Sequence, residues 1–342
     1  MKKFIFLMVL FSCALSFGQI LNTPKSYFNF IRQEKGNVSK AISNYIFVLA
    51  HGDKIEEVNN SKNILISVIK KSRDKISVLK NGFQGDLVFQ NVYVDYLKST
   101  EKQLNTDYVT LSNFKSVTEM SFDDMKKYLS DRKNIQVEVK NQATKLNESE
   151  IEFAAKYKLP LQTGDNDLSK KMAVAVDVFD NHSELYLMFF KVNIAHYNYM
   201  NAINNKNISL VRSTSDILSK YANEGLTKLK IFKPYENDVS LMQITKEILD
   251  TDKQETADFT PFIISYFDDC SAFSSAKKHQ DANDDKFRNE KTKAFNELVS
   301  KMNASIVNFN LKNNEIRNKQ KTLLDNWNIA GEQFLRTHIP KN

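Results

Sequence analysis

The chain reads as an all-α protein, organised as two tandem up-down four-helix bundles that arise from an internal duplication. Three observations lead there. Ordered landmarks recur at offsets of 152 to 154 residues: Asn44-Tyr45 with Asn198-Tyr199, Ile64-Leu65 with Ile217-Leu218, and Phe83-x-x-Asp86 with Tyr235-x-x-Asp238. Two distant helical patterns close alike, Glu152-Phe153 running to Leu159-Pro160 and Gln333-Phe334 running to Ile339-Pro340. There the offset widens to about 180, which places an insertion before the last segment of the second copy. Finally, Gly and Pro number only eight and five, a composition of long helices with short connections. On this plan residues 1–18 are a signal peptide, 19–161 the first bundle, 162–170 a polar linker and 171–342 the second bundle.

The leader has a basic start, Met1-Lys2-Lys3, an apolar run from Phe4 to Phe11, and small residues Ser16 and Gly18 before a cleavage point at Gln19. Eight apolar residues span roughly 12 Å of helix, too short for a bilayer core. A rival reading takes Leu10-Phe11-Ser12-Cys13 as a lipobox with an acylated Cys13, though Phe11 fits that motif poorly. No later run approaches the length of a membrane span, so no transmembrane helix is expected in the mature chain.

In the first copy, Thr23-Pro24 reads as N-cap and first helical residue. Tyr27, Ile31, Val38, Ile42, Tyr45 and Leu49 then keep one apolar face, and Gly52 closes the helix as a residue easily held at positive φ. A second helix carries Ile55, Leu65, Val68, Ile69, Ile76 and Leu79 and stops at Asn81-Gly82. Asp86 caps a third, with Phe89, Tyr93, Tyr96 and Leu104 on its face. Its Val-Phe-Gln-Asn-Val-Tyr-Val stretch also has strand character, but the aligned Leu241, Ile244 and Ile248 have helical spacing. Ser121-Phe-Asp-Asp124 resembles a capping box opening a fourth helix that runs to Lys158.

The second copy follows the linker Gln162–Lys170. Leu185, Phe189, Val192, His196, Tyr199 and Ile203 line its first helix. Pro234 separates its second and third helices, and Thr260-Pro261 predicts a kink or restart in the third. In the last helix Phe295, Met302, Phe309, Ile316, Leu323 and Ala330 recur every seven residues. Val299, Ile306, Asn313, Gln320, Trp327 and Phe334 interleave at the same period, as in antiparallel bundles. An unbroken helix from Asp284 to Arg336 would be about 80 Å long, so a break or a protrusion is expected.

Composition excludes several functions. The 48 Lys and Arg exceed the 41 Asp and Glu by seven, but the excess is spread through both halves instead of forming a basic stripe. Nucleic acid is not an expected partner. With Cys13 in the leader, the mature chain keeps only Cys270, which allows no intrachain disulfide. The histidines are His51, His182, His196, His279 and His338, and none has Glu three residues before it. His-x-x-x-His, Cys-x-x-Cys and glycine-rich phosphate loops are absent from the sequence. His196 aligns with Ile42 and reads as a core histidine. The Ser-x-x-Lys matches lack every companion acylase motif, and Lys277–Arg288 lacks a calcium loop's spacing. The 24 Phe and 13 Tyr sit mostly at core spacing and require no stacked cofactor.

Two polar interruptions remain. Asn313 and Gln320 occupy inward positions of the last helix, and Arg132 and Gln136 interrupt the Met125, Leu129, Val139, Leu146, Phe153 stripe. Such layers fix helix register in coiled coils, or they line a polar ligand pocket inside a bundle.

The opening Thr23-Pro24-Lys-Ser-Tyr27-Phe-Asn-Phe-Ile31-Arg-Gln33-Glu34, with its Pro-x-x-Tyr-x-x-x-Ile core, resembles an uncharacterised family of exported surface proteins of spirochaetes and flavobacteria. The resemblance implies an all-helical exported protein of a Gram-negative envelope, in the periplasm or at the cell surface, and assigns no catalytic residue or cofactor. The expectation is therefore a non-enzymatic protein that binds a macromolecular partner or ligand at the envelope. The alternative is a periplasmic bundle that binds a small ligand or metal in a polar core layer. A sealed core around Asn313 and Gln320 would argue against that alternative.

Overall fold

Local capping chemistry sets where the helices begin and end. The computed structural model describes residues 21–52, 54–106, 122–161, 167–281 and 288–340. The protein is all-α: within those residues every regular element is a helix, and the one β-type pairing is an isolated bridge between Phe83 and Asp86. The helices are α1 (Pro24–His51), α2 (Ile55–Ser77), α3 (Val88–Thr106), α4 (Phe122–Lys156), α5 (Asp167–Asn204), α6 (Ile208–Leu229), α7 (Ser240–Asp281) and α8 (Arg288–His338), with a 3-10 turn at Tyr235–Asn237. The chain divides into two compact units, Met1–Asp177 with Arg336–Asn342, and Val178–Leu335.

Thr23 caps α1 as expected: its Oγ1 accepts from Ser26 N at 3.1 Å and Ser26 Oγ accepts from Thr23 N at 3.3 Å. The α3 segment is a helix and not a strand, and Asp86 Oδ1 caps it from Val88 N at 3.2 Å. Several details differ from the sequence reading. Gly52 has φ −68°, so it is not left-handed; a Cβ there would lie 2.6 Å from Val48 O, and space is its reason. Of the expected linker 162–170, residues 167–170 already belong to α5, which starts at Asp167; residues 162–166 lie outside the described residues. The third helix of the second copy does not restart at Pro261: α7 runs through it. Pro261 is exposed, and the neighbouring Thr260 is clamped from inside by Tyr199 OH (2.9 Å) and Ser215 Oγ (2.7 Å). Likewise α8 has no break over its 51 residues, about 76 Å. The signal peptide, Cys13 and the Ser121 cap lie outside the described residues.

Within the first unit the side-chain pairs run antiparallel from helix to helix. Asn44 Nδ2 donates to Ser61 Oγ and Lys75 Nζ to Glu34 Oε1 between α1 and α2. Ser72 meets Tyr93 and Arg73 meets Glu101 between α2 and α3. Lys102 with Glu138, and Phe89 with Phe153, join α3 to α4. Arg32 and Lys35 pair with Glu150 between α1 and α4. The core is densest around Phe153, whose ring lies 4.5 to 6.3 Å from those of Tyr157, Tyr27, Phe89, Phe28 and Phe83.

The second unit repeats the up-down order. Lys191 Nζ donates to Glu224 between α5 and α6, and Gly225 lets Leu249 of α7 approach α6 closely. Phe273–Phe295, Tyr266–Phe309 and Thr245–Trp327 mark α7 and α8 running antiparallel. Trp327 takes the central aromatic place, stacked on Phe189 at 4.3 Å.

The paired landmarks match in burial and in backbone. Tyr45 and Tyr199 are buried, as are Leu65 and Leu218, while Ile64 and Ile217 are both exposed. Phe83-Gln84-Gly85-Asp86 and Tyr235-Glu236-Asn237-Asp238 each place two successive residues at positive φ: 51° and 87° in the first, 48° and 64° in the second. In each, the Asp N–H returns to the aromatic residue's carbonyl, at 2.9 and 2.8 Å. In each, the Asp side chain then accepts from the amide two residues on.

Glycine is required unequally in the first of these loops. A Cβ on Gly82 (φ +58°) would lie 2.1 Å from Asp86 O, whereas one on Gly85 (φ +87°) meets nothing within 4 Å. Gly82→Ala is expected to destabilise by more than about 2 kcal/mol, and Gly85→Ala by about 1 kcal/mol from backbone strain alone. Urea unfolding of the two variants checks the order; equal losses would contradict it.

Candidate metal centre

Halfway along the second unit, α5 and α7 bring an imidazole and two carboxyl groups into the interior, and α8 adds an amide. His196 on α5 sits one turn before Tyr199 and Met200, so core packing turns its ring inward. On α7, Asp252 and Glu255 are three residues apart, hence on one face, and continue the inward stripe of Leu241, Thr245, Ile248 and Phe259. His196, Asp252 and Glu255 retain only 9%, 1% and 8% of their accessible surface. One ligand-capable atom from each lies within 4.8 Å of the others.

The distances are informative. His196 Nδ1 is 3.2 Å from Asp252 Oδ1 and 3.8 Å from Glu255 Oε1. Donor atoms around a metal held at roughly 2.0–2.2 Å stand about 3.0–3.6 Å apart, depending on coordination number. The His196–Asp252 pair already stands at that spacing, and Glu255 Oε1, at 3.8 Å from Nδ1, lies just outside it. The cluster is also incompletely satisfied: both His196 Nδ1 and Glu255 Oε1 are buried without a hydrogen-bond partner. Nδ1 is within ion-pair range of Asp252 but off the direction a hydrogen bond needs.

Gln320 on α8 closes the third side. Its Nε2 donates to Asp252 Oδ1 at 2.5 Å and approaches Glu255 Oε2 at 3.4 Å. A groove of about 210 Å³ between α7 and α8, lined by Glu255, Phe259, Ile316 and Lys319 among others, connects Glu255 to the surface. Of the cluster, Glu255 lines this groove, and Gln320 is itself half-buried.

Of the two inward polar positions singled out on α8, Gln320 joins the cluster. Asn313 faces inward two turns earlier, with its Oδ1 buried and unpartnered, and makes no contact with the three ligand-capable residues. The side chains of Arg132 and Gln136 lie outside the described residues. His196 is buried as expected, but against two carboxylates instead of aliphatic side chains. His182 does not join it: it packs 5.6 Å from Trp327 in the aromatic core. Asp252-x-x-Glu255 was the missed signal, a polar interruption of an inward stripe on α7 like the one read on α8.

Burial and charge compete over the protons here. Burial works against the imidazolium, yet the Asp252 and Glu255 carboxylates outweigh it, with Arg317 in partial opposition, and His196 is held above its ordinary value. Burial, joined by the Asp252 charge, pushes the Glu255 carboxyl up to about 7, against the pull of His196, Gln320 and Lys319.

No family model, curated protein or solved structure matches the chain. Function must be argued from the site itself.

Because the metal-free folded state holds the Glu255 proton more tightly than the unfolded chain, stability falls as pH rises from about 4.5 through about 7. With chelator present, wild type should lose on the order of 2 kcal/mol relative to Glu255→Gln between about pH 5 and pH 8. Denaturant titrations at both pH values read this; a pH-independent difference would contradict a raised Glu255.

Proposed function

We propose that this is an exported, non-enzymatic helical protein of the cell envelope whose second unit binds one divalent metal ion through His196, Asp252 and Glu255. The observation that carries the reading is the converging, buried and partly unsatisfied set of one imidazole nitrogen and two carboxylate oxygens. Apolar residues satisfy a helical core at no such cost. A cation placed among the three would accept both orphaned atoms and neutralise the acids.

Nitrogen–oxygen donor sets suit Zn(II), Mn(II), Fe(II) or Co(II), and the lack of a thiolate disfavours Cu(I). Export is supported by the leader at Met1–Gly18. Among the described residues no helix is long and apolar enough to cross a membrane.

Titration calorimetry of the chelator-treated chain with Zn(II) and Mn(II) tests the reading. One equivalent is expected to bind, and metal at 100 times its Kd should stabilise the fold by about 2.7 kcal/mol. His196→Ala should abolish both effects. A chain that takes up no divalent ion, or a His196→Ala variant that binds like wild type, defeats the proposal.

A further inference from the structure

Resting on the metal-binding reading, the deeper question is what completes the coordination shell. Two helices supply three donors, and the third wall of the site is Gln320 on α8. Its amide touches both acids at once: Asp252 through the same Oδ1 that faces His196, and Glu255 through Oε2, the oxygen opposite the orphaned one.

The orientation of that amide follows from the charge it faces. Against two carboxylates and no cation, the favourable end is the NH2 group, and that end points inward. With a divalent cation among His196 Nδ1, Asp252 and Glu255, an inward NH2 would meet the cation with its positive end. The terminal amide torsion of glutamine is soft and roughly two-fold, so a half-turn exchanges nitrogen and oxygen without moving the helix. Oε1 then occupies the place Nε2 holds, beside the two carboxylates.

We infer that Gln320 is the fourth ligand, through Oε1, of a one-nitrogen, three-oxygen site for a divalent cation of the Mn(II)/Zn(II) class. Gln320 is both the cap of the metal-free acids and a ligand of the bound ion. The groove that reaches Glu255 between α7 and α8 is the route by which the ion enters.

The same register in the first unit differs. At the 154- and 152-residue offsets of the neighbouring landmarks, Ile42 stands for His196 and Thr100 for Asp252. Thr100 Oγ1 is satisfied by its own helix, at Tyr96 O. The site belongs to the second unit.

The experiment compares the full chain with Gln320→Leu and Gln320→Glu. Zn(II) affinity is measured by chelator competition and ligand geometry by the visible absorption of bound Co(II), with circular dichroism reporting folding. Wild type should bind, Gln320→Leu should bind roughly tenfold or more weakly with an altered Co(II) band, and Gln320→Glu should recover the affinity with a shifted band of its own, because it keeps an oxygen in place but makes it a carboxylate oxygen. If Gln320→Leu keeps wild-type affinity and spectrum, the fourth-ligand assignment is overturned and the three-residue site stands. If Gln320→Glu is weakened as much as Gln320→Leu, Gln320 serves only as a donor to the acids and the assignment again falls. If wild type binds neither ion, the metal reading itself fails. Should Gln320→Leu not fold, the Co(II) spectrum of Gln320→Glu against wild type decides: a carboxylate in the shell shifts the band, and an unchanged band overturns the assignment.

Discussion

Side-chain interlock alone sets the register of these helices, since the described residues offer no sheet and Cys270 is unpaired. In each unit one aromatic ring on the last long helix carries most of it. Phe153 gathers five rings from all parts of the first unit's core. Trp327 packs against His182, Tyr186 and Phe189 of α5 in the second, and its indole N–H is also fixed by Thr245 Oγ1 at 3.0 Å. Burial of such rings is worth several kcal/mol each and has no directional preference along the axis. Direction comes from the polar partners, Tyr27 with Gln90 in one unit and Trp327 with Thr245 in the other.

Against that background the His196, Asp252 and Glu255 cluster is costly. Two acids and an imidazole are withdrawn from water, with hydrogen bonds that do not satisfy all their atoms. The corresponding positions of the first unit, Ile42 and a self-satisfied Thr100, carry no charge. Charge at these positions is therefore not a requirement of the architecture. The ion pairs Lys246 with Asp250 and Lys127 with Asp131 are exposed and contribute little, and the buried acids Glu34 and Glu150 are each matched by Lys or Arg. The buried cluster is of another kind, and ligand binding accounts for it.

Much of the fold was legible in the sequence because helices announce themselves through caps and periodicity. Thr23-Pro24, Asp86 and the inward stripes of α1 to α3 all behave as their residue types require. Pro261 misled, since an exposed proline removes one hydrogen bond that a well-anchored helix can lose without ending. Gly52 misled for a related reason: lack of a side chain, and not left-handed backbone, is what its site demands. The site was half legible. Gln320 stood out as polar within a heptad stripe, but Asp252 and Glu255 lie where α7 shows no strict repeat, and a search for Glu-x-x-His passes over Asp-x-x-Glu. That His196 reaches them depends on how α5 and α7 pair, which spacing along either helix does not reveal.

The two left-handed turns at Phe83–Asp86 and Tyr235–Asp238 carry a consequence for how the chain acquires its shape. Each closes within four residues and presents an aspartate to the first amides of the helix that follows. Contacts this short form on the time scale of local loop closure, about 10–100 ns for ten residues, well before helices far apart in sequence can pair. Folding in each unit can thus begin at its own hairpin of helices, with α2 and α3 or α6 and α7 turned toward one another while the outer helices are still to arrive. The aromatic rings of Phe153 and Trp327, which come from those late helices, then act as the latch.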